Sequence, residues 1–285
     1  MTTPISDLEA REAFHALVLA HLPESYRAPG GGQQAPLRLK GGVNLRLFHR
    51  SERFSEDMDF DLTPDRGPQF LTHLRKLLLE SPPLRRALLR AGIEDLTVSV
   101  LDGGGPGSAG FKQKVQLICG GVPLPTKIEG SYREETLPAE AIAQPIPAPF
   151  VTRYRLEPAP MVATYPAPVA MWQKALALSR RDPPQTRDIY DLDHLTTCYS
   201  LDVAAAGRQL TLERMNVGAL RQAAETVAAF TRQEFEGQVI AFLPDTRRND
   251  ILAGWASLQE RGWLWFEGLI EERTKRDGHD ETPEG

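Results

Sequence analysis

Residues 39–62 read LKGGVNLRLFHRSERFSEDMDFDL, and the reading of this stretch decides the fold. Its end, Asp57-Met58-Asp59-Phe60-Asp61-Leu62, alternates acids with large apolar residues. In a strand successive side chains point to opposite faces, so the three aspartates line one face while Met58, Phe60 and Leu62 fill a core on the other. Asp is disfavoured in strands, and neighbouring carboxylates on one face repel unless something positive lies between them. A divalent cation relieves that cost. Hard oxygen ligands suit Mg²⁺ or Mn²⁺, which keep coordination positions for phosphate oxygens. Upstream, Gly41 and Gly42 follow Lys40 and precede a helical segment, Val43 to Phe48, that carries Arg46. Backbone N–H groups at such a turn and helix start can hold a phosphate. Arg50 and Arg53 add positive charge nearby. Strand, glycine turn, helix and acidic strand together form a frame for phosphoryl transfer.

Two further constellations stand behind this one in the chain. In Lys127-Ile128-Glu129-Gly130-Ser131-Tyr132-Arg133, alternation puts Lys127, Glu129 and Ser131 on one face of a strand. Glu129 can supply the third carboxylate that a two-metal transferase needs on a neighbouring strand. Taken alone, such a face is more often a surface ion-pair ladder. The other is MWQKALALSRRDPPQTRDIYDLDHL, residues 171–195. Lys174 sits early in one helix, and Arg187, Asp188, Asp191 and Asp193 open the next. Asp188 and Asp191, three apart, share a helix face. Acids at a helix N-terminus are also favourable with no function attached.

The order of these motifs resembles the AbiEii/AbiGii-type nucleotidyltransferase toxins of abortive-infection and type IV toxin–antitoxin systems, which include the MenT toxins. KGG, LRLF and RFSEDMDFDL match the family's first motif, KIEGSYRE its second and RDIYDL its third. The resemblance covers roughly residues 37–200, and the family sits in the polymerase-β-like nucleotidyltransferase superfamily. It implies metal-dependent transfer of a nucleotide from an NTP, with release of pyrophosphate, in a cytoplasmic phage-defence system. Asp57, Asp59 and Glu129 are then the metal ligands and catalytic carboxylates, with Asp61 in support. Lys174 balances charge at the triphosphate, and Asp188 or Asp191 orients it or Arg187. Lys40, Gly41, Gly42, Arg46, Arg53, Ser55, Lys127 and Arg187 are the expected nucleotide contacts, and Ser55 is a candidate for antitoxin-linked phosphorylation. The implied partners are an RNA acceptor, the 3′ end of tRNA, and a separately encoded antitoxin. This chain departs from the family in having glutamate where many members have aspartate in the second motif, and in the loop APGGGQQAP at residues 28–36. A protein or small-molecule hydroxyl as acceptor, or a nucleotide-binding module without catalysis, are the competing readings.

Composition sets the outer limits. With 285 residues, 41% of them hydrophobic, the chain can bury a sizeable core in one large domain or two small ones. Its two cysteines, Cys119 and Cys198, have no metal-ligand neighbours in sequence, which suits reduced thiols in a cytoplasmic protein. No signal peptide or membrane-length apolar run is expected. A net charge of −5 disfavours indiscriminate nucleic-acid binding but leaves room for a local basic groove. The six histidines show no paired spacing and no cysteine partner, so no zinc site is expected.

Periodicity predicts an amphipathic helix from Ile5 to Leu22 with Ser6 as N-cap. It also predicts helices at Gln69–Leu79 and Leu84–Ala91, split by Pro82 and Pro83. Arg85, Arg86 and Arg90 on the second of these form a solvated flank or part of a polynucleotide groove. Strands are expected at Leu96–Leu101, Lys114–Cys119 and Thr126–Ser131, the first two joined by the loop Asp102–Gly110. With the two earlier strands they make a mixed sheet of about five, hence an α/β or α+β domain. Eight prolines between Leu137 and Pro168 suggest a stiff extended connector. The expected division is a nucleotidyltransferase domain over 1–150, a helical domain over 151–272 and a disordered tail over 273–285. Helices are expected at Val169–Ser179, Arg187–Tyr199, Val217–Arg232, Phe235–Phe242 and Asp250–Glu272, with the stripe Trp255, Trp263, Trp265 and Phe266 in their core rather than serving as a base-stacking platform.

Overall fold

A computed structural model of the chain describes residues 5–27, 35–63, 67–99, 102–103, 109–132 and 141–279. Most of the APGGGQQAP loop, Leu101, Arg133, Pro138 and the last six residues lie outside the described residues. Two compact units emerge, Met1–Arg50 with Phe54–Tyr165, and Ser51–Arg53 with Pro166–Gly285. A boundary at 150/151 would cut through a helix, Ala148–Tyr154; the division falls instead between Tyr165 and Pro166.

The first unit runs α1 (Asp7–His21), α2 (Glu24–Arg27), β1 (Leu37–Lys40), α3 (Gly41–Phe48), β2 (Met58–Leu62), α4 (Gly67–Glu80), α5 (Pro82–Arg90), β3 (Asp95–Val98), β4 (Asp102–Gly103), β5 (Gly110–Cys119), β6 (Val122–Tyr132), β7 (Ile142–Pro145), α6 (Ala148–Tyr154) and β8 (Met161–Thr164). Its sheet has eight strands in the order β3-β5-β6-β2-β1-β8-β7, with β4 on β5. β2 and β6 are parallel, as are β1 and β8, while the other pairs are antiparallel. The mixed sheet is therefore larger than about five strands. β7, α6 and β8 form inside the proline-rich stretch expected to be an extended connector. Prolines there stand where no donor is missed: Pro147 caps α6, Pro149 lies in its first turn and Pro145 ends β7.

α1 begins as expected, with Ser6 and Glu9 forming a reciprocal capping box. α5 is capped by the Ser81 hydroxyl, which accepts from the Leu84 N–H, and Arg85, Arg86 and Arg90 are exposed. α1, α4 and α5 supply Phe14, Leu17, Phe70, Leu74 and Leu84 to one core with Phe60, Phe111 and Ile128 of the sheet. Phe70 meets Phe60 and Phe111 with ring centres 6.1 and 5.8 Å apart. Each such side chain contributes about 1.5–3 kcal/mol through its removal from water. The alternation of β2, β5 and β6 leaves polar residues on the opposite face, and the site lies there.

The second unit holds α7 (Ala167–Arg180), α8 (Thr186–Cys198), α9 (Leu201–Arg214), α10 (Val217–Ala229), α11 (Arg232–Gln238), a 3₁₀ turn (Ile240–Phe242), α12 (Asp245–Ala253) and α13 (Trp255–His279). α7 packs against α8, α9 and α10, and α13 against α8 and α10. α9 was not expected from the sequence: its buried side is Gly207, Thr211 and Leu212, too weakly apolar to show a period. A Cβ on Gly207 would fall 2.3 Å from Met171 Sδ, so glycine is what lets α9 approach α7. α13 continues to His279, well past the expected start of a disordered tail. Of the aromatic stripe, Trp255 and Phe266 are buried, but Trp263 is exposed. No described helix is long and apolar enough to cross a membrane.

Candidate active site

Register creates the central feature of the first unit. β2 runs parallel to β6 with Asp59 directly beside Glu129 and Asp61 beside Ser131. On the other side of β2, Lys40 stands opposite Asp59. Asp57 sits on the bend just before β2 rather than within it. Its Oδ2 still lies 3.1 Å from Lys127 Nζ, which is in turn 3.2 Å from Glu129 Oε1. The three acids are thus carried to one sheet face by neighbouring strands, and an ammonium bridges two of them.

Electrostatics follow from that bridge. Burial pushes the Asp57 carboxyl up to about 6; Lys127 opposes the rise and Asp59 adds to it. Burial also acts to raise Glu129, but Lys112 and Lys127 outweigh it and hold the group below its ordinary value. Lys112 Nζ is 3.1 Å from Glu129 Oε1. Burial would lower Lys127, yet Asp57 and Glu129 raise it overall. Among the described residues no three His, Cys, Asp or Glu side chains are gathered closely enough to hold a metal as they stand.

Gly41 explains the glycine turn. Its φ is +67°, and a Cβ there would fall 2.5 Å from Asp59 Oδ2. Only glycine allows this backbone to pass so near the carboxylate. The turn opens α3, which already begins at Gly41 rather than Val43, and no side chain caps its first turn.

Several expected contacts are committed elsewhere. Lys40 pairs with Asp61 and donates to Ser131 Oγ at 3.1 Å. Asp61 is buried and also accepts from the Tyr165 hydroxyl at 3.0 Å. Arg46 binds Glu12 of α1 and lies 4.1 Å over the Phe54 ring. Ser55 is buried, and its hydroxyl donates to the Asp57 carbonyl at 2.9 Å.

In the helical unit, Asp191 is the hub. It is fully buried and receives Arg53 through both oxygens, at 3.0 and 2.8 Å, and Lys174 at 2.6 Å. Burial would raise its pKa, but Arg53 and Lys174 reverse the shift and hold it far below the usual carboxylate range. Lys174 also pairs with Asp188 at 2.8 Å, and Asp188 with Arg181 at 2.6 Å. Both aspartates therefore hold Lys174, whereas Arg187 is half-buried and is not their partner. Arg53, expected among the nucleotide contacts, pairs with Asp191 within the helical unit.

Sequence reasoning missed Lys112, Tyr165 and Arg181. Lys112 and Tyr165 reach the acids through register and topology, which no local spacing encodes; Arg181 lay within the third motif but carried no signal of its own.

Residues 26–261 match the family described as Nucleotidyl transferase AbiEii toxin, Type IV TA system. No curated protein matches the chain. Among solved structures, the chain is similar to MenT4, a nucleotidyltransferase toxin from Mycobacterium tuberculosis H37Rv, at 17% identity and a TM-score of 0.57, covering 94% of this chain and 85% of that one. JHP933 from Helicobacter pylori aligns at 13% identity and a TM-score of 0.46 over 97% of each chain. With more than four fifths of its length matched by the family, this chain belongs to the AbiEii nucleotidyltransferase toxins of type IV toxin–antitoxin systems.

Proposed function

We propose that this protein transfers a nucleoside monophosphate from an NTP to an RNA hydroxyl, the 3′ end of tRNA, and that a separately encoded antitoxin restrains it in the cytoplasm. The observation that carries the reading is the register pairing of Asp59 with Glu129, next to a positive-φ glycine that Asp59 crowds.

By the chemistry of its donors the set suits a divalent cation, although the three carboxylates are not gathered around one point as they stand. Asp57, Asp59 and Glu129 offer hard oxygens, and Lys127 Nζ stands between two of them as a positive charge would. These carboxylates would hold a Mg²⁺ or Mn²⁺ ion, which would supply phosphate neutralisation and activation of the acceptor hydroxyl. The protein's own residues do the rest. Gly41, Gly42 and the first turn of α3 present N–H groups to the triphosphate. Lys127, released from its carboxylates, can follow the phosphate charge. In the transfer the acceptor oxygen bonds to the α-phosphorus, and the bond from that phosphorus to the bridging oxygen breaks. Pyrophosphate leaves with the electron pair, and the hydroxyl proton passes to solvent. Lys174 keeps its proposed role of offsetting leaving-group charge, and its side chain is held by Asp188 and Asp191.

The test is incubation of purified protein with each α-labelled NTP, Mg²⁺ and total tRNA, with Asp59→Ala as control. Label enters tRNA only with the intact carboxylate. Label on a protein or small molecule instead would move the acceptor assignment, and equal labelling by Asp59→Ala would overturn the catalytic one.

A further inference from the structure

A groove of about 520 Å³ opens on the acidic face of the first unit, with Asp57 and Lys127 at one end and Thr97 and Ser99 at the other. Glu56, paired with Arg11, joins Asp57 in the lining, and Lys114, Gln116 and Pro125 lie between the two ends. We propose that this groove seats the acceptor RNA strand, and that Lys114 binds a backbone phosphate next to the reacting hydroxyl. The proposal rests on the nucleotidyl-transfer reading and adds to it a substrate site.

Position across the sheet gives the first argument. The strands run β1, β2, β6, β5, β3. The Gly41 turn follows directly from β1 and approaches Asp59 of β2. The groove lies on the far side of the same acids, over β6, β5 and β3. Transfer in line requires donor and acceptor to meet the phosphorus from opposite sides. With the triphosphate at the glycine turn, the acceptor comes from the groove.

Charge gives the second argument. Lys114 of β5 stands directly opposite Lys127 of β6, and like charges so placed repel. Lys127 is committed to Asp57 and Glu129, and Lys112 to Glu129. Lys114 is exposed and pairs with no carboxylate among the described residues. An anion in the groove relieves the repulsion. A phosphodiester brings one at the required place, whereas a protein hydroxyl brings none.

Neutral chemistry gives the third. Thr97 and Gln116 face each other in register on β3 and β5, both exposed, and suit ribose hydroxyls as donors and acceptors. Pro125 is an exposed apolar surface beside them. The volume is of the size that holds small ligands, roughly 300–1,000 Å³, enough for a strand terminus and too little for a duplex.

The experiment compares wild type, Lys114→Glu and Lys114→Arg by two readouts. Steady-state transfer should show the KM for tRNA raised about tenfold in Lys114→Glu and near wild type in Lys114→Arg, with the KM for NTP within about twofold in both. Anisotropy of a fluorescein-labelled single-stranded RNA, measured on the Asp59→Ala background, should weaken likewise, and its salt slope should fall by about 0.7–1 on loss of one phosphate contact. Unchanged RNA affinity in correctly folded Lys114→Glu overturns the proposal. A raised KM for NTP alone, or for a protein acceptor in place of RNA, overturns it too. Transfer that survives Asp59→Ala would instead sink the catalytic reading, so the two failures are distinguishable.

Discussion

At the scale of single residues, the site turns on a glycine and a lysine doing opposite things. Gly41 removes bulk so that backbone can approach Asp59, and Lys127 fills the space between Asp57 and Glu129 with charge. Gly41→Ala should therefore fail twice. A side chain at φ +67° costs about 1–2 kcal/mol, and the new Cβ must displace the Asp59 carboxylate. Misplacing a reacting group by about an ångström lowers turnover on the order of 100-fold. Thermal melts and single-turnover transfer would read the two effects separately; turnover within a few-fold of wild type would refute the steric argument. The alternating acids and the double glycine were legible because both are local patterns. That Asp61 would be buried between Lys40 and Tyr165 was not legible, because residues 104 positions apart meet only once β2 is paired and Tyr165 is in place.

At the scale of elements, α1 shows how a helix outside the site supports it. His15 is buried at its centre, with Nε2 3.4 Å from Thr126 Oγ1 of β6, next to Lys127. Burial, aided by Arg11, depresses its pKa from 6.5 to about 3. A histidine kept neutral by the fold takes up its proton in the unfolded chain first. It therefore draws stability away as pH falls below about 6.5, and the loss continues towards pH 3. Between pH 6 and pH 4.5 the linkage amounts to roughly 2 kcal/mol. His15→Gln should flatten that part of the acid dependence in urea unfolding followed by circular dichroism, and a parallel pH profile in the variant would contradict it. Elements with strong periodicity, such as α1 and α5, could be read ahead of the structure. Those between Leu137 and Pro168 could not, since proline density argues against regular structure unless one knows which N–H groups the sheet leaves unused.

At the scale of the whole chain, sequence neighbourhood and structural membership part company at residues 51–53. They lie between α3 and β2 yet belong to the helical unit, and the reason is the bidentate pair of Arg53 with Asp191. A linear boundary cannot express this, and so the basic residues around Arg53 read as a single nucleotide-binding group. All four tryptophans, Trp172, Trp255, Trp263 and Trp265, lie in the helical unit, so their fluorescence reports on it alone. Arg53→Met removes one of two cations from a buried carboxylate and should cost that unit about 3 kcal/mol, seen as an earlier tryptophan-monitored midpoint in guanidinium. Asp191→Asn should cost a similar amount. Combined with Arg53→Met it should cost clearly less than the sum, because the first change already removes what the second would strand. Additive losses would mean that the pair does not tie residues 51–53 to the helices, and the membership seen in the structure would then need another cause.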